Sequence, residues 1–481
     1  MALAVGTCAA NGLAAPLEDY QRMRLPPTMT KVWVTDRGNS RWCRVARKPE
    51  LPEALTFRSL DRYDPDGQLN PNDGGWWAID EPVLQTIFAG AIEAKADASK
   101  PIQDTLDGAA RLGRVVDDKD ALYRVDRSIT LPKGVEWRNV QLRAGTQGMN
   151  VVRISSDSKF LDFRIVGTGT VSSRAATASE VHERAIYPAS NSLKNAVVRG
   201  HISRITVGVH LQPLTASGIP PTNCTIDVEL TEIVGRPDMS EGYGVLLSPA
   251  LGCRVRVKAR NIQRHAVYLS AGASYNIVDA DVTDCFQDAV TIFSVAHQPA
   301  CNGNELTVNA RGVRVPSGKP VTSNSACFSI YGKANDNVAV VSADATGQGG
   351  GTAAYAAVLV HGMQGAAGPF PHGNRVTVNV RGLFGGPYAV QCIDAVETEI
   401  AGGQIVGRGT VGVIGFSDTR QNTAQFSRAG KVSQLYIDGI DGRGFGVVVA
   451  TERSNVEIMS DVSFVRVKKN FRDYTGRARK I

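Results

Sequence analysis

Four side chains near the middle of the chain have the types and spacing of an acid–base site: Glu232, His265, Asp284 and Asp288. On the repeat set out below, Glu232 and Asp284 occupy the same slot two repeats apart. His265 and Asp288 share a second slot on neighbouring repeats. Stacked strands lie about 4.8 Å apart, so two repeats separate the first pair by ~9.6 Å at the backbone. An inverting glycosidase holds its two carboxyl groups roughly 6.5–9.5 Å apart. In that chemistry one of the pair is the general acid, the other activates water, and His265 tunes a pKa. The competing reading is structural, because Asp and Asn collect at turns for backbone reasons alone.

The elements that must position these residues follow from a repeat with a fixed internal grammar. Cys224, Cys253, Asn276, Asn304, Asn337 and Asn374 form an anchor slot, with successive anchors 29, 23, 28, 33 and 37 residues apart. Two, four and six residues past each anchor the side chain is small or apolar, as in Ile226/Val228/Leu230, Val278/Ala280/Val282 and Val376/Val378/Val380. Nine past the anchor the series continues with Ile233, Ile262, Cys285, Val313, Thr346 and Leu383. A period-two strand recurring once per coil predicts a β-solenoid, each coil stacking its inward face on the next. Three and five past the anchors, outward columns run Asp227, Arg256, Asp279, Thr307 and Glu229, Lys258, Asp281, Asn309. Alternating acid and base rows would neutralise one another, or bind a charged sugar.

Composition agrees with a solenoid. A chain of 481 residues is long for one compact core, but a solenoid grows along one axis. Glycine is plentiful at 49 residues and aromatics are 6%. The net charge of +7 is evenly spread apart from a basic end that includes Arg466, Lys468, Lys469 and Arg472. That end is either a solvated terminus or a contact for an anionic partner. The eight cysteines show no metal-ligand spacing. Cys224 and Cys253 are neighbours in the anchor column, which allows a disulfide, although buried reduced thiols are the expectation. Met1–Ala15 is apolar but lacks the basic start of a signal peptide, and no run is long enough to span a membrane. The Gly347–Gly351 stretch lacks the lysine and following helix of a phosphate loop.

Along the chain, residues 1–30 read as an extended arm. Residues 31–95 hold four of the five tryptophans, Trp33, Trp42, Trp76 and Trp77, and read as a small β-rich head whose aromatics serve as core or docking surface, or instead as an aromatic sugar platform. Within it, Pro82–Ala96 is predicted helical. Residues 96–470 carry the coil and 471–481 a basic tail. Ala96–Ala110 reads as a short amphipathic helix, followed by Gly113–Val116, Tyr123–Val125 and the Leu131-Pro132-Lys133-Gly134-Val135 turn. The insertions Pro316–Asn324, Gln348–Tyr355 and Gly362–Gly373 are expected to protrude and to form a ligand groove or subunit contacts.

This order of capping helix, short strands and Leu-Pro-x-Gly-Val turn resembles the start of a pectate-lyase-like right-handed β-helix, most similar to that of bacteriophage tailspikes and short tail fibres. The resemblance covers roughly residues 96–470. It implies an all-β, single-stranded right-handed parallel β-helix with a capping helix and a small N-terminal head; the repeat count gives roughly ten coils. It also implies a homotrimer in the virion tail, synthesised in the host cytoplasm. Residues 1–95 would dock on other tail, portal or adaptor proteins, and the helix would face host surface polysaccharide, lipopolysaccharide or capsule. The expected function is attachment, with a polysaccharide depolymerase (a glycoside hydrolase) or a structural strut as alternatives. No metal, other cofactor, nucleic-acid partner or membrane insertion is implied. The paired-Asp polygalacturonase pattern and the Asp-rich calcium cluster of pectate lyases are absent from the sequence, so no catalytic residue carries over.

Overall fold

The structure is a computed structural model of the whole chain. It describes residues 13–23, 25, 28–60, 75–94, 96–171, 183–235, 241–315, 325–346, 353–362, 370–417, 430–450, 456–473 and 479–480. Most of the three expected insertions, residues 1–12 and residues 474–478 lie outside this set. The chain divides into two compact units, Met1–Val166 and Gly167–Ile481.

In the first unit a five-stranded sheet takes the order Leu13–Ala15, Lys31–Val34, Ser40–Val45, Trp76–Ile79, Thr56–Arg58. Leu13–Ala15 runs parallel to Lys31–Val34, and the helix Leu17–Arg22 follows it. Residues 13–22 of the predicted extended arm are therefore a strand and a helix of the head. Tyr20 is what ties it down: the ring is fully buried, stacks on Phe57 at 5.9 Å, and its hydroxyl donates to the Leu13 and Trp33 carbonyls. Trp42 and Trp77 are core residues, packed on Phe57, with their indole N–H groups donated to Ser40 and Ser59. The predicted helix over Pro82–Ala96 is instead a two-residue strand, Val83–Leu84, and a 3-10 turn, Thr86–Ala89. Val83–Leu84 pairs with Val115–Val116, and that edge pairing outweighs local helix propensity. The capping helix spans Ser99–Leu112; the Asp97 carboxylate accepts the Ser99 N–H at 2.9 Å, and Gly113 closes the helix in the left-handed region at φ 62°. The first coils, from Val115 to Val166, belong to this unit, whereas the sequence placed the division at residue 95.

The second unit is a parallel solenoid. A long-strand sheet stacks Val197–Ser203, Thr225–Ile233, Arg254–Ile262, Ile277–Cys285, Glu305–Arg311, Val338–Ala345, Arg375–Leu383 and Glu399–Arg408, each parallel to the next. A short-strand sheet stacks Arg184–Pro188, Val207–Leu211, Tyr243–Leu247, His265–Ser270, Val290–Ser294, Ala326–Gly332, Ala356–His361, Tyr388–Ile393, Gly412–Ser417 and Phe445–Val449. The residues two, four and six past every anchor are buried, so the predicted inward face is the core. The register also holds outside, with Asp227, Arg256, Asp279 and Thr307 paired strand to strand. The series nine past the anchor fails at its end: Leu383 is 48% exposed, while Phe384 and Ala345 are the buried residues there. Gly382, at φ 105°, turns that strand so that the next residue faces outward and Phe384 inward.

Candidate functional site

The anchors form the backbone of the site-bearing coil. Asn276, Asn304, Asn337 and Asn374 are fully or almost fully buried, and each of the first three amides donates to the next residue's side-chain oxygen, at 3.0, 2.8 and 3.0 Å. The same oxygens accept the backbone N–H of the preceding anchor. This ladder fixes the corner of four successive coils. Cys224 and Cys253 extend the column as unlinked thiols, and all seven described cysteines are free.

The four candidate catalytic residues fall into two settings. Glu232 and Asp284 lie in one column of the long-strand sheet, with Asn261 between them, and all three are left-handed, at φ 54°, 58° and 56°. Glu232 is exposed; Asp284 accepts a 2.8 Å hydrogen bond from the Arg314 guanidinium. His265 and Asp288 do meet, with 3.7 Å between Nδ1 and Oδ2, but both are buried. Asp288 Oδ1 accepts the Ala326 N–H at 2.6 Å and Oδ2 accepts the Thr291 hydroxyl at 3.1 Å. Thr291 also contacts His265 Nδ1 at 3.3 Å and the Ser329 hydroxyl at 2.9 Å. Burial pushes the Asp288 carboxyl up to about 6 and holds His265 neutral, well below its ordinary range. As they stand, these two side chains tie three strands together beneath the surface.

Directly over that cluster lies a feature that the sequence reading missed. Tyr243 stacks on His265 at 5.5 Å, and Tyr268 follows at 4.8 Å from His265. Phe293 lies 6.0 Å from Tyr268, Tyr331 6.3 Å from Phe293, and His361 5.9 Å from Tyr331. The row crosses five successive short strands. Tyr243, Tyr268, Phe293, Tyr331 and His361 are half-buried, while Val245, Val267, Ile292, Ile330 and Val360 on the same strands are the core. Alternation turns Tyr268, Phe293, Tyr331 and His361 outward; at Tyr243 the alternation is broken, with Gly244 and Val245 both buried after it. Tyr331 and Tyr355 also pack on Ala326, Leu359 and Ile393, which props that end of the row. Burial raises the phenols of Tyr243, Tyr268 and Tyr331 and lowers His361, so the row is neutral near pH 7. The rings sit at no fixed distance from the anchors because the turns between sheets differ in length, so no column search in the sequence finds them.

The outer face of the long-strand sheet is different. A trough of about 420 Å³ is lined by Asp281, Asn309, Arg311, Ser342, Asp344 and Arg381 among others. Its charges are matched: Arg311 pairs with Asp281 at 3.5 Å, and hydrogen bonds from Thr346, helped by Arg381 and Arg311, hold the Asp344 carboxyl below its ordinary range. Arg256 pairs with Asp279 at 3.8 Å. Among the described residues there is no group of three or more His, Cys, Asp or Glu side chains suited to a metal ion.

No family model matches the chain, and no characterised protein sequence matches it. Several solved structures are similar. The catalytic domain of a GH87 α-1,3-glucanase in complex with tetrasaccharides superposes with a TM-score of 0.50 at 13% identity, over 86% of this chain and 73% of that one. The A-module of a mannuronan C-5 epimerase from Azotobacter vinelandii gives 0.49 at 13%, over 82% and 97%. The Dettilon tailspike protein gives 0.47 at 11%, over 82% and 68%. At such identities the likeness is one of fold alone: a right-handed parallel β-helix.

Proposed function

We propose that this chain is a tail spike or short tail fibre of a bacteriophage, and that the ring row from Tyr243 to His361 is the platform on which it holds a host surface polysaccharide. The fold does not carry this reading, since a fold hosts many functions. The ring row does. Outward aromatic rings are costly to leave half in water, and a neutral strip of rings edged with phenol hydroxyls suits the apolar face of a sugar and its hydroxyl groups. The row crosses the stacked strands obliquely from Tyr243 through Tyr268 to Phe293, and then follows the stack through Tyr331 to His361. The head, with its Trp42, Trp77 and Phe57 core, is then the part that docks on other virion proteins. Three copies are expected, with exposed Ile277, Val338 and Val340 on the long-strand sheet, and Tyr275 in the turn before it, available for contact between them.

The test is binding of the purified chain to lipopolysaccharide and capsule from susceptible cells. Replacing Tyr268, Phe293 or Tyr331 by Ala is expected to weaken binding at least tenfold without loss of fold. Binding indifferent to all three changes would move the glycan elsewhere, and absence of any binding would favour a strut.

A depolymerase is the second reading, favoured by the common column of Glu232 and Asp284 two coils apart. One would act as general acid and the other would activate water. New reducing ends abolished by Glu232→Gln or Asp284→Asn would establish it; cleavage that survives both would keep an enzyme and discard this pair.

A further inference from the structure

Arg264 stands at the turn that leads into the strand His265–Ser270, at one end of the ring row. Its stem is pinned: the backbone N–H donates to the Gly242 carbonyl at 3.1 Å, and the Arg264 carbonyl accepts the Cys285 thiol at 3.0 Å. The guanidinium lies 4.9 Å from the centre of the Tyr243 ring, and Nε donates to the Gln287 side-chain oxygen at 3.2 Å. The residue is half-buried. Among the described residues, no carboxylate pairs with it and its two terminal nitrogens have no hydrogen-bond partner.

Arg256, Arg311, Arg314 and Arg408 of this unit are each matched to an aspartate, at 3.8, 3.5, 2.8 and 2.6 Å. Arg264 is not, and whereas Arg254 and Arg260 stand exposed on the long-strand sheet, Arg264 stands half-buried beside the ring row. The nearby Asp288 makes no ion pair with Arg264; its oxygens accept the Ala326 N–H and the Thr291 hydroxyl, and the charge of Arg264 acts on it only from a distance. The terminal nitrogens of Arg264 are not among the buried unpartnered atoms, so they meet solvent and an anion can reach them. Stacking on Tyr243 and the bond to Gln287 hold its plane and leave the terminal edge open, the geometry that takes a carboxylate through two parallel hydrogen bonds.

We infer, on the premise that the ring row holds a glycan, that this glycan bears a carboxylate and that Arg264 receives it. The ligand class is a uronic-acid-containing or otherwise carboxylated polysaccharide. Its sugar faces lie on Tyr268, Phe293 and Tyr331, and its acid group lies at the Arg264 end. Arg264 is then a specificity residue, selecting charge while the rings supply contact area.

The experiment is calorimetric titration of the full chain with hexamers of galacturonate and mannuronate, with the same hexamers after carboxyl reduction, and with dextran sulfate. Carboxyl reduction is expected to weaken binding tenfold or more. Arg264→Gln is expected to cause the same loss for the carboxylated hexamers and no change for the reduced ones, with Arg264→Lys in between. Tyr331→Ala is expected to weaken both kinds, and unchanged thermal unfolding of the Arg264 variants checks their fold. Reduced hexamers that bind as well as the acids, through the rings and indifferently to Arg264, would leave the platform standing and overturn the carboxylate. A preference for dextran sulfate that Arg264→Gln abolishes would also overturn it, in favour of a sulfate ester. If no hexamer and no sulfated polymer binds, the platform and the carboxylate fall together.

Discussion

The Asn304 side-chain amide donates to the Asn337 side-chain oxygen at 2.8 Å, with both residues fully buried. Asn304 is at the same time an acceptor, taking both the backbone N–H and the side-chain amide of Asn276 at 3.0 Å. One residue thus satisfies donors on the coil before it and uses an acceptor on the coil after it. A buried polar column of this kind stabilises only when complete, because each orphaned group costs about 1–3 kcal/mol.

Asn304→Ala leaves two Asn276 donors and the Ala273 carbonyl without partners. The expected loss is about 2–5 kcal/mol in urea unfolding. Asn304→Asp keeps the acceptor but sets a carboxylate against the Asn337 oxygen, so it should be worse at pH 7 and partly relieved in acid. A loss below ~0.5 kcal/mol for the alanine variant would mean that the ladder is incidental.

Glu232 occupies the left-handed region at φ 54°, in the column where Asn261 and Asp284 stand and where Gly312 follows at φ 65°. Left-handed backbone is least favourable for residues other than Gly, Asn and Asp. Glu232→Gly or Glu232→Asn is therefore expected to raise stability by about 0.5–1 kcal/mol, read as a shift in the urea midpoint. A decrease would show that the Glu232 side chain holds a contact that offsets the strain.

Much of the coil was legible because its period is chemical. The inward Val and Ala positions and the Asn anchors must recur once per coil, and the left-handed slot accepts few residue types. That same slot explains why Glu232 and Asp284 looked like a matched pair in the sequence: a backbone requirement and a catalytic one select similar side chains. The ring row was hidden for the opposite reason. Tyr243, Tyr268, Phe293 and Tyr331 come together only after turns of unequal length, so their sequence spacing carries no period. The strand and helix over residues 13–22 were not legible because Tyr20 finds its partners, Phe57 and the Trp33 carbonyl, farther along the chain. No local pattern announces such contacts.

Phe57 is the centre of the head's aromatic core, 5.8 Å from Trp77, 5.4 Å from Trp42 and 5.9 Å from Tyr20. Phe57→Ala is expected to cost about 3–5 kcal/mol, the usual range for emptying a large buried site. Tryptophan fluorescence and near-ultraviolet circular dichroism should report the loss, since Trp42 and Trp77 line the space vacated. Phe57→Leu, which keeps most of the volume, should recover part of the loss; equal losses for both variants would argue that ring stacking, not filling, holds the head.

Asp288 and His265 give opposing pH dependences that can be separated. Asp288 is pushed up to about 6 in the fold, against an unfolded value of about 3.9. The folded state therefore holds that proton more tightly. Its favourable contribution is fully present below about pH 4, is lost as pH rises to about 6, and is flat above; a rise of that size is worth ~3 kcal/mol. His265 is held below its ordinary value of 6.5, so its contribution is present above that pH and is lost as pH falls. Asn in place of Asp288 can still accept the Ala326 N–H and can donate to Thr291, which turns its own hydroxyl towards Ser329. Asp288→Asn should therefore gain on the wild type as pH rises from 4 to 6, by about 2–3 kcal/mol, and hold that gain to pH 7.5. His265→Gln should gain on the wild type in the other direction, as pH falls below 6.5. Urea unfolding of the three proteins between pH 4.5 and 7.5 reads both differences. A constant offset between Asp288→Asn and wild type across that range would show that Asp288 titrates as an ordinary carboxylate, and that its burial beneath the ring row does not govern its proton.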